Sequence, residues 1–239
     1  LMKTAGKALK IVYTPLHGSG NKPVRRILKE IGIENVYVVK EQELPDPNFS
    51  TVKVPNPEDP AAFTLAMKLA DEVGADCIFG TDPDCDRVGV QVARADGFVP
   101  LNGNEIGALL IDYLCAVRPP VPGDVLVTTV VSGELGQRVA RSHGIEVQQV
   151  LTGFKFIGEK IKQWEADGKY TFVFGFEESC GYLRGTHARD KDAVVASMLC
   201  AEMVCYYTYI GKTLYRRLTE IYEKYGYVLD KNVSIQYSL

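Results

Sequence analysis

The stretch Cys77-Ile78-Phe79-Gly80-Thr81-Asp82-Pro83-Asp84-Cys85-Asp86-Arg87 carries a short apolar run into a loop with carboxylates at every second position. Alternate residues of an extended chain point the same way. Asp82, Asp84 and Asp86 can therefore converge on one point, where three negative charges repel unless a cation lies between them. Carboxylate oxygens suit a hard divalent ion, Mg²⁺ before Zn²⁺. Mg²⁺ held by few protein ligands keeps positions open for water or phosphate, so phosphoryl chemistry is the first expectation. An EF-hand starting at Asp82 would need Gly at its sixth position and Glu at its twelfth. Arg87 and Ala93 stand there, which excludes it. A solvated acidic turn is the plain alternative, but the loop proline, the preceding strand and the adjacent Arg87 favour a rigid site.

The loop returns ninety-five residues later, counting from Asp82 to Glu177. Ile78-Phe79-Gly80-Thr81-Asp82-Pro83-Asp84-Cys85 aligns with Val173-Phe174-Gly175-Phe176-Glu177-Glu178-Ser179-Cys180. Each is an apolar strand ending in Phe-Gly, then spacer, acid, spacer, a small oxygen-bearing side chain and Cys. The flanks repeat as well. Lys10 to Tyr13 runs into a Gly-containing turn and a helix, and Val125 to Val131 runs into Ser132-Gly133. One α/β unit is used twice.

The remaining pattern agrees. Strands are predicted at Ala8–Tyr13, Val36–Val39, Cys77–Phe79 and Val88–Ala93, with helices near Asn21 and over Ala61–Val73. The proline-rich connection Leu44 to Pro60 is long enough to be functional or to cover a surface. Ala95-Asp96-Gly97 reads as the boundary turn, giving units 1–97 and 98–239. The second unit is expected to open with a strand at Phe98–Leu101 and a helix over Asn104–Val117. Strands at Val125–Val131, Val147–Leu151 and Thr171–Phe174 alternate with helices at Glu134–Ser142 and Phe156–Ala166. Helices Asp192–Ile210 and Leu214–Tyr225 close it. Alternating strands and helices predict an α/β fold, two related α/β/α sandwich domains with mostly parallel mixed sheets. Ligands of such sheets bind at the carboxyl ends of strands, where both acidic loops fall.

At 239 residues, 24% charged and 46% apolar, the chain fits two modest globular domains. No apolar run approaches the ~20 residues of a membrane span, and the start does not resemble a signal peptide. A net charge of -3 with no basic stripe argues against nucleic acid. Six cysteines without a CxxC pair read as reduced thiols of a cytoplasmic protein. Leu1 is not an initiator, and Val233 to Tyr237 reads as a strand with nothing after it to pair with. The sequence is therefore expected to be a segment of a longer chain.

Five motifs, in order, resemble the α-D-phosphohexomutases. They are Thr14-Pro15-Leu16-His17-Gly18, Asp82 to Arg87, Leu151-Thr152-Gly153-Phe154-Lys155, Gly175-Phe176-Glu177-Glu178-Ser179 and Arg189-Asp190-Lys191-Asp192. The resemblance covers nearly the whole chain and corresponds to the second and third of that family's four domains. Bacterial phosphoglucomutases look nearest, phosphomannomutases more distant. The family's first domain, with its phosphorylated serine, and its fourth, with a phosphate-binding loop, are missing from this sequence. By resemblance the intact enzyme passes a phosphoryl group between that serine and a hexose phosphate. A hexose 1,6-bisphosphate is the intermediate and activator, and the isolated segment is expected to be inactive.

The same resemblance places Mg²⁺ on Asp82, Asp84 and Asp86, and sugar contacts on Thr152, Gly153, Glu177 and Ser179. Arg87 falls on a phosphate-contacting position, with a salt bridge to the aspartates as its other reading. Lys191 matches a lysine near the reacting oxygen, either proton carrier or phosphate partner, and a base would need a lowered pKa. Arg189 and His187 are further phosphate candidates. His17 could face the cleft or be satisfied by local backbone, and Ala193 stands where many relatives have Gly. Phosphomannomutase and phosphopentomutase remain open as substrate alternatives. A haloacid-dehalogenase-like phosphatase fits less well, because Asp86 stands where that family wants a small or branched residue. A noncatalytic sugar-phosphate or metal-binding module is the reading from another class.

Overall fold

The computed structural model describes residues 2–231. Strands β1 (Lys10–Thr14), β2 (Asn35–Val38), β3 (Cys77–Thr81), β4 (Val88–Arg94) and β5 (Gly97–Leu101) form one sheet in the order β2-β1-β3-β4-β5. Strands β6 (Asp124–Thr129), β7 (Glu146–Val150), β8 (Thr171–Glu177) and β9 (Gly181–Leu183) form a second, in the order β7-β6-β8-β9. In each sheet the first three strands are parallel and the strand after the acidic loop turns antiparallel. The helices repeat too. Helices α1 (Met2–Ala8), α2 (Asn21–Glu30) and α3 (Thr64–Val73) precede β1, β2 and β3, as α4 (Gly103–Val117), α5 (Glu134–Ser142) and α6 (Phe154–Asp167) precede β6, β7 and β8. Helices α7 (Ala193–Tyr209) and α8 (Leu214–Tyr225) follow β9.

Local chemistry explains the helix limits. Asn102 and Glu105 form a capping box at the start of α4. Asp192 caps α7 by accepting from the Val194 and Val195 amides, and Gly74 ends α3 in the left-handed conformation.

Helices cover both faces of each sheet. Under α3, Phe63 and Ala66 pack on Val12 and Ile78, and under α6, Ile157, Ile161 and Trp164 pack on Val125 and Val127. The two inward faces share one core, which joins Phe79 and Val90 of the first sheet to Phe174 and Phe176 of the second through α7. Helix α7 packs against α1 and α2 as well as α4. Among the described residues no single helix is long and apolar enough to cross a membrane.

Three expectations change. The strand at Phe98–Leu101 does not open the second unit. Ala95 and Asp96 make a two-residue hairpin, and Val92 pairs with Val99 and Val90 with Leu101 in the first sheet. The sheet boundary thus falls after Leu101. Helix α1 and strand β9 were not expected. The strand predicted at Val233 to Tyr237 lies outside the described residues.

Candidate active site

Asp82 builds its own loop. Its carboxylate is buried, with Oδ1 accepting from the Asp86 and Arg87 amides at 3.0 and 2.9 Å and Oδ2 from Arg87 Nε at 2.7 Å. Burial raises its pKa, and the hydrogen bonds from Arg87 oppose that rise. Asp84 is exposed and Asp86 half-buried, and one oxygen from each of the three lies within 4.8 Å of the others. Oxygens bound to one Mg²⁺ at about 2.1 Å sit at most about 4.2 Å apart, so a small contraction suits the set to that ion. The loop rests on the Thr14–Gly20 turn. Gly18 lies against Pro83 so closely that an added Cβ would be 2.5 Å from Pro83 Cα, and the Ser19 amide donates to Pro83 O at 2.8 Å.

His17 does not face the cleft. Its ring nitrogens meet Leu44 O at 2.9 Å and Thr51 Oγ1 at 2.8 Å, pinning the proline-rich connection. That connection reaches the site through Glu58, which accepts from Arg87 Nη1 at 3.2 Å. Arg87 therefore spans Asp82 and Glu58, which supports its salt-bridge reading. Glu58 stands twenty-nine residues from Arg87, and no local pattern announces the pairing.

The second loop mirrors the first. Cys85 and Cys180, equivalent in the repeat, both take positive φ, 61° and 63°. Glu177 is buried at the end of β8, and its Oε1 accepts from the Gly153 amide at 3.0 Å. Burial raises the Glu177 pKa, opposed by that amide and by the charge of Lys191. Gly153 has φ of 117°, a backbone that favours glycine, and exposed Thr152 lies beside it. Ser179 is half-buried in the same loop. Glu178 turns away, accepting from Ser132 Oγ at 3.1 Å.

The segment before α7 ties the loops together. Lys191 Nζ donates to Asp86 Oδ2 at 2.8 Å and Asp190 Oδ1 at 3.0 Å, and its stem crosses Gly181, where a Cβ would lie 2.1 Å from Lys191 Cδ. Burial lowers the Lys191 pKa, but its bonds to Asp86 and Asp190 outweigh this and the net shift is upward. In this arrangement Lys191 is an ammonium, suited to hold anions or donate a proton rather than to act as a base. The Ala193 amide donates to Cys85 O at 3.2 Å and the Val88 amide to Cys180 O at 3.1 Å. His187 and Arg189 are otherwise engaged. His187 Nε2 pairs with the capping Asp192 at 2.9 Å, while Arg189 binds Glu165 and donates to Thr186 O. The structure thus gathers the three aspartates, Arg87, Lys191 and the Glu177–Gly153 pair, and turns the Arg189 guanidinium onto α6.

Residues 1–97 match the family model described as phosphoglucomutase/phosphomannomutase, alpha/beta/alpha domain II, and residues 102–225 match domain III. The chain belongs to the phosphoglucomutase/phosphomannomutase family. It is 42% identical over 227 residues to a phosphoglucomutase of Staphylococcus haemolyticus, covering 95% of this chain and 41% of that protein. A Staphylococcus aureus phosphoglucomutase is 40% identical over 219 residues, covering 91% and 39%. The chain therefore spans about two-fifths of these curated relatives. Two solved structures share the fold at a TM-score of 0.69. One is a phosphoglucomutase/phosphomannomutase family protein from Burkholderia thailandensis, at 19% identity, covering 89% of this chain and 42% of that one. The other is Paramecium parafusin, a phosphoglucomutase, at 18% identity, covering 93% and 39%.

Proposed function

We propose that this chain forms the metal- and sugar-binding centre of a cytoplasmic phosphoglucomutase, working with a phosphoserine-bearing domain and a further phosphate-binding domain. The observation that carries the reading is Lys191, which spans from the second unit to Asp86 and sets the carboxylate triad beside the Glu177–Gly153 pair. Bound Mg²⁺ on Asp82, Asp84 and Asp86 would neutralise charge on the phosphoryl group in transfer. Arg87, fixed by Asp82 and Glu58, orients the loop and lends positive charge beside the phosphate. Lys191 holds a phosphate oxygen or donates a proton to the oxygen that loses it. Glu177 accepts from sugar hydroxyls, Ser179 adds a hydroxyl, and the Thr152–Gly153 turn lets the ring approach backbone. His187 and Arg189 serve by shaping the loop before α7.

Glucose is favoured over mannose or pentose phosphate because the relatives at 40–42% identity are phosphoglucomutases. A hexose 1,6-bisphosphate as intermediate is supported by a distant relative from Aspergillus fumigatus, solved with glucose 1,6-bisphosphate. The cytoplasmic reading rests on six unpaired cysteines. No nucleic-acid or membrane role enters, and the chain alone is expected to be inactive. Steady-state kinetics of the full-length protein test the reading. Asp84→Asn should lower kcat by about 10²-fold or more, as loss of a single electrostatic stabiliser does. Glu177→Gln should raise KM for glucose 1-phosphate. Unchanged parameters in both variants would refute the assignment.

A further inference from the structure

Glu58 lies in the proline-rich connection, outside both acidic loops, yet a set of contacts fixes where its carboxylate falls. Asn56 folds the chain into a tight turn, its Oδ1 accepting from the Glu58 amide at 2.9 Å and its carbonyl from the Asp59 amide at 3.0 Å. Pro57 rests on Gly89, the second residue of β4, where a Cβ would meet Pro57 O at 2.4 Å and Pro57 Cβ at 3.0 Å. Only glycine lets the connection approach that strand so closely. Upstream, Thr14 Oγ1 donates to Gln42 Oε1 at 2.6 Å and Gln42 Nε2 to Thr51 Oγ1 at 3.2 Å, anchoring the connection to the turn beneath the metal loop. The carboxylate delivered in this way is half-buried and accepts from Arg87 Nη1.

The guanidinium of Arg87 is a rigid planar fork, so its nitrogens can be accounted for one by one. Nε is taken by Asp82 at 2.7 Å and Nη1 by Glu58 at 3.2 Å. Nη2 has no hydrogen-bond partner among the described residues. It is also absent from their buried unpartnered side-chain atoms, Gln91 Oε1 and Ser197 Oγ, so it is open to solvent. Nη2 shares an edge of the fork with Nε, which puts the open donor on the Asp82 side. A bond at Nε alone would let the plane pivot, and Asp86 Oδ1, 3.7 Å from Nε, is an alternative acceptor. The second bond, from Nη1 to Glu58, fixes the plane.

We propose that Glu58 is a positioning residue, which holds Arg87 in the plane that presents Nη2 to a phosphate oxygen and keeps the guanidinium off Asp86. The inference rests on the proposed phosphoryl-transfer reading. A double-mutant cycle in the full-length protein tests it, with Glu58→Ala and Arg87→Met made singly and together. Glu58→Ala should lower kcat/KM for glucose 1-phosphate about 10–100-fold, the cost of a misplaced group. Glu58→Gln keeps an acceptor oxygen and should lose less, and it is read instead should the alanine variant not fold. In the Arg87→Met background neither change should cost more than about twofold, and an undiminished loss there would overturn the proposal. Calorimetric affinity for Mn²⁺ should stay within about threefold of the parent's, because backbone amides still hold Asp82. A larger fall would mean that Glu58 supports the metal loop rather than the arginine. Inorganic phosphate titrated into the Mn²⁺-loaded protein gives a readout free of turnover. It should bind Glu58→Ala about tenfold more weakly than the parent, and Arg87→Met as it binds the double variant. That pattern in a parent without mutase activity would refute the proposed function and leave the positioning role standing. Equal phosphate binding by all four proteins, or none by the parent, would overturn the positioning role.

Discussion

Replacing Gly18 by Ala tests how the metal-loop carboxylates are held. The new Cβ would lie 2.5 Å from Pro83 Cα and 2.6 Å from Pro83 O, where ordinary contact begins at 3.4 Å. The obstacle is backbone, so relief needs a displacement of roughly 0.9 Å in the loop or the turn beneath it, a strain of about 1–3 kcal/mol. Pro83 stands between Asp82 and Asp84, so its displacement moves their carboxylates relative to each other. A metal site tolerates only about 0.2 Å in its ligand distances. The affinity for Mg²⁺ or Mn²⁺ should fall about 10–100-fold, as it does when the support of a ligand set is disturbed. Gly74→Ala is the matched control. Nothing lies within 4 Å of its added Cβ, but its φ of 63° costs a side chain about 1–2 kcal/mol. Calorimetry with each ion and urea unfolding on the same samples separate the two effects. If Gly18→Ala lost stability yet bound Mn²⁺ as tightly as the parent, the packing of the turn on Pro83 would not be what holds the carboxylates.

Lys191→Met removes the ammonium 2.8 Å from Asp86, so divalent-ion affinity should rise about 3–10-fold at low salt. A calorimetric affinity at or below the parent's would show that the lysine does not compete with the ion. For Glu177, burial raises the folded pKa, so its contribution to stability is fully present below about pH 4.3 and lost as pH rises through the raised value. Glu177→Gln should flatten that limb of a stability-against-pH profile, and an unaltered limb would assign it to another group. Arg217→Met strands Asp112, a buried carboxylate that Arg217 grips at 2.7 and 2.8 Å. Urea unfolding should show a loss of about 3–5 kcal/mol, largely restored by adding Asp112→Leu. Restoration by less than half would point to lost Arg217 packing instead.

Sequence alone revealed whatever rests on contiguous residues. The echo of Ile78–Cys85 in Val173–Cys180 located both loops, and the matching left-handed Cys85 and Cys180 show that the likeness extends to backbone geometry. Helices α5 and α8 fall where the sequence places them, at Glu134–Ser142 and Leu214–Tyr225. What stayed hidden depends on partners distant in sequence. Residues Phe98–Leu101 read as a strand, but only pairing with Val90 and Val92 assigns its sheet. Helix α1 has seven residues and β9 three, too few for a period to register. The roles of His17 and Glu58 required knowing where the proline-rich connection folds back. Arg189, legible as a cation near a phosphate motif, pairs with Glu165, which lies twenty-four residues away.

A repeated unit ordinarily gives two modules that can hinge, and the single helix α7 denies this chain that freedom. Its flank fills the interior of both sheets, and the Arg87–Gly181 bridge and Lys191 staple the rims where the loops meet. Opening the joint would expose apolar core and break those bonds together, so the two halves should move as one block. A ligand resting on the two loops then lies on a floor that does not flex. Under the proposed function, whatever room a bound sugar phosphate needs has to come from what stands opposite that floor.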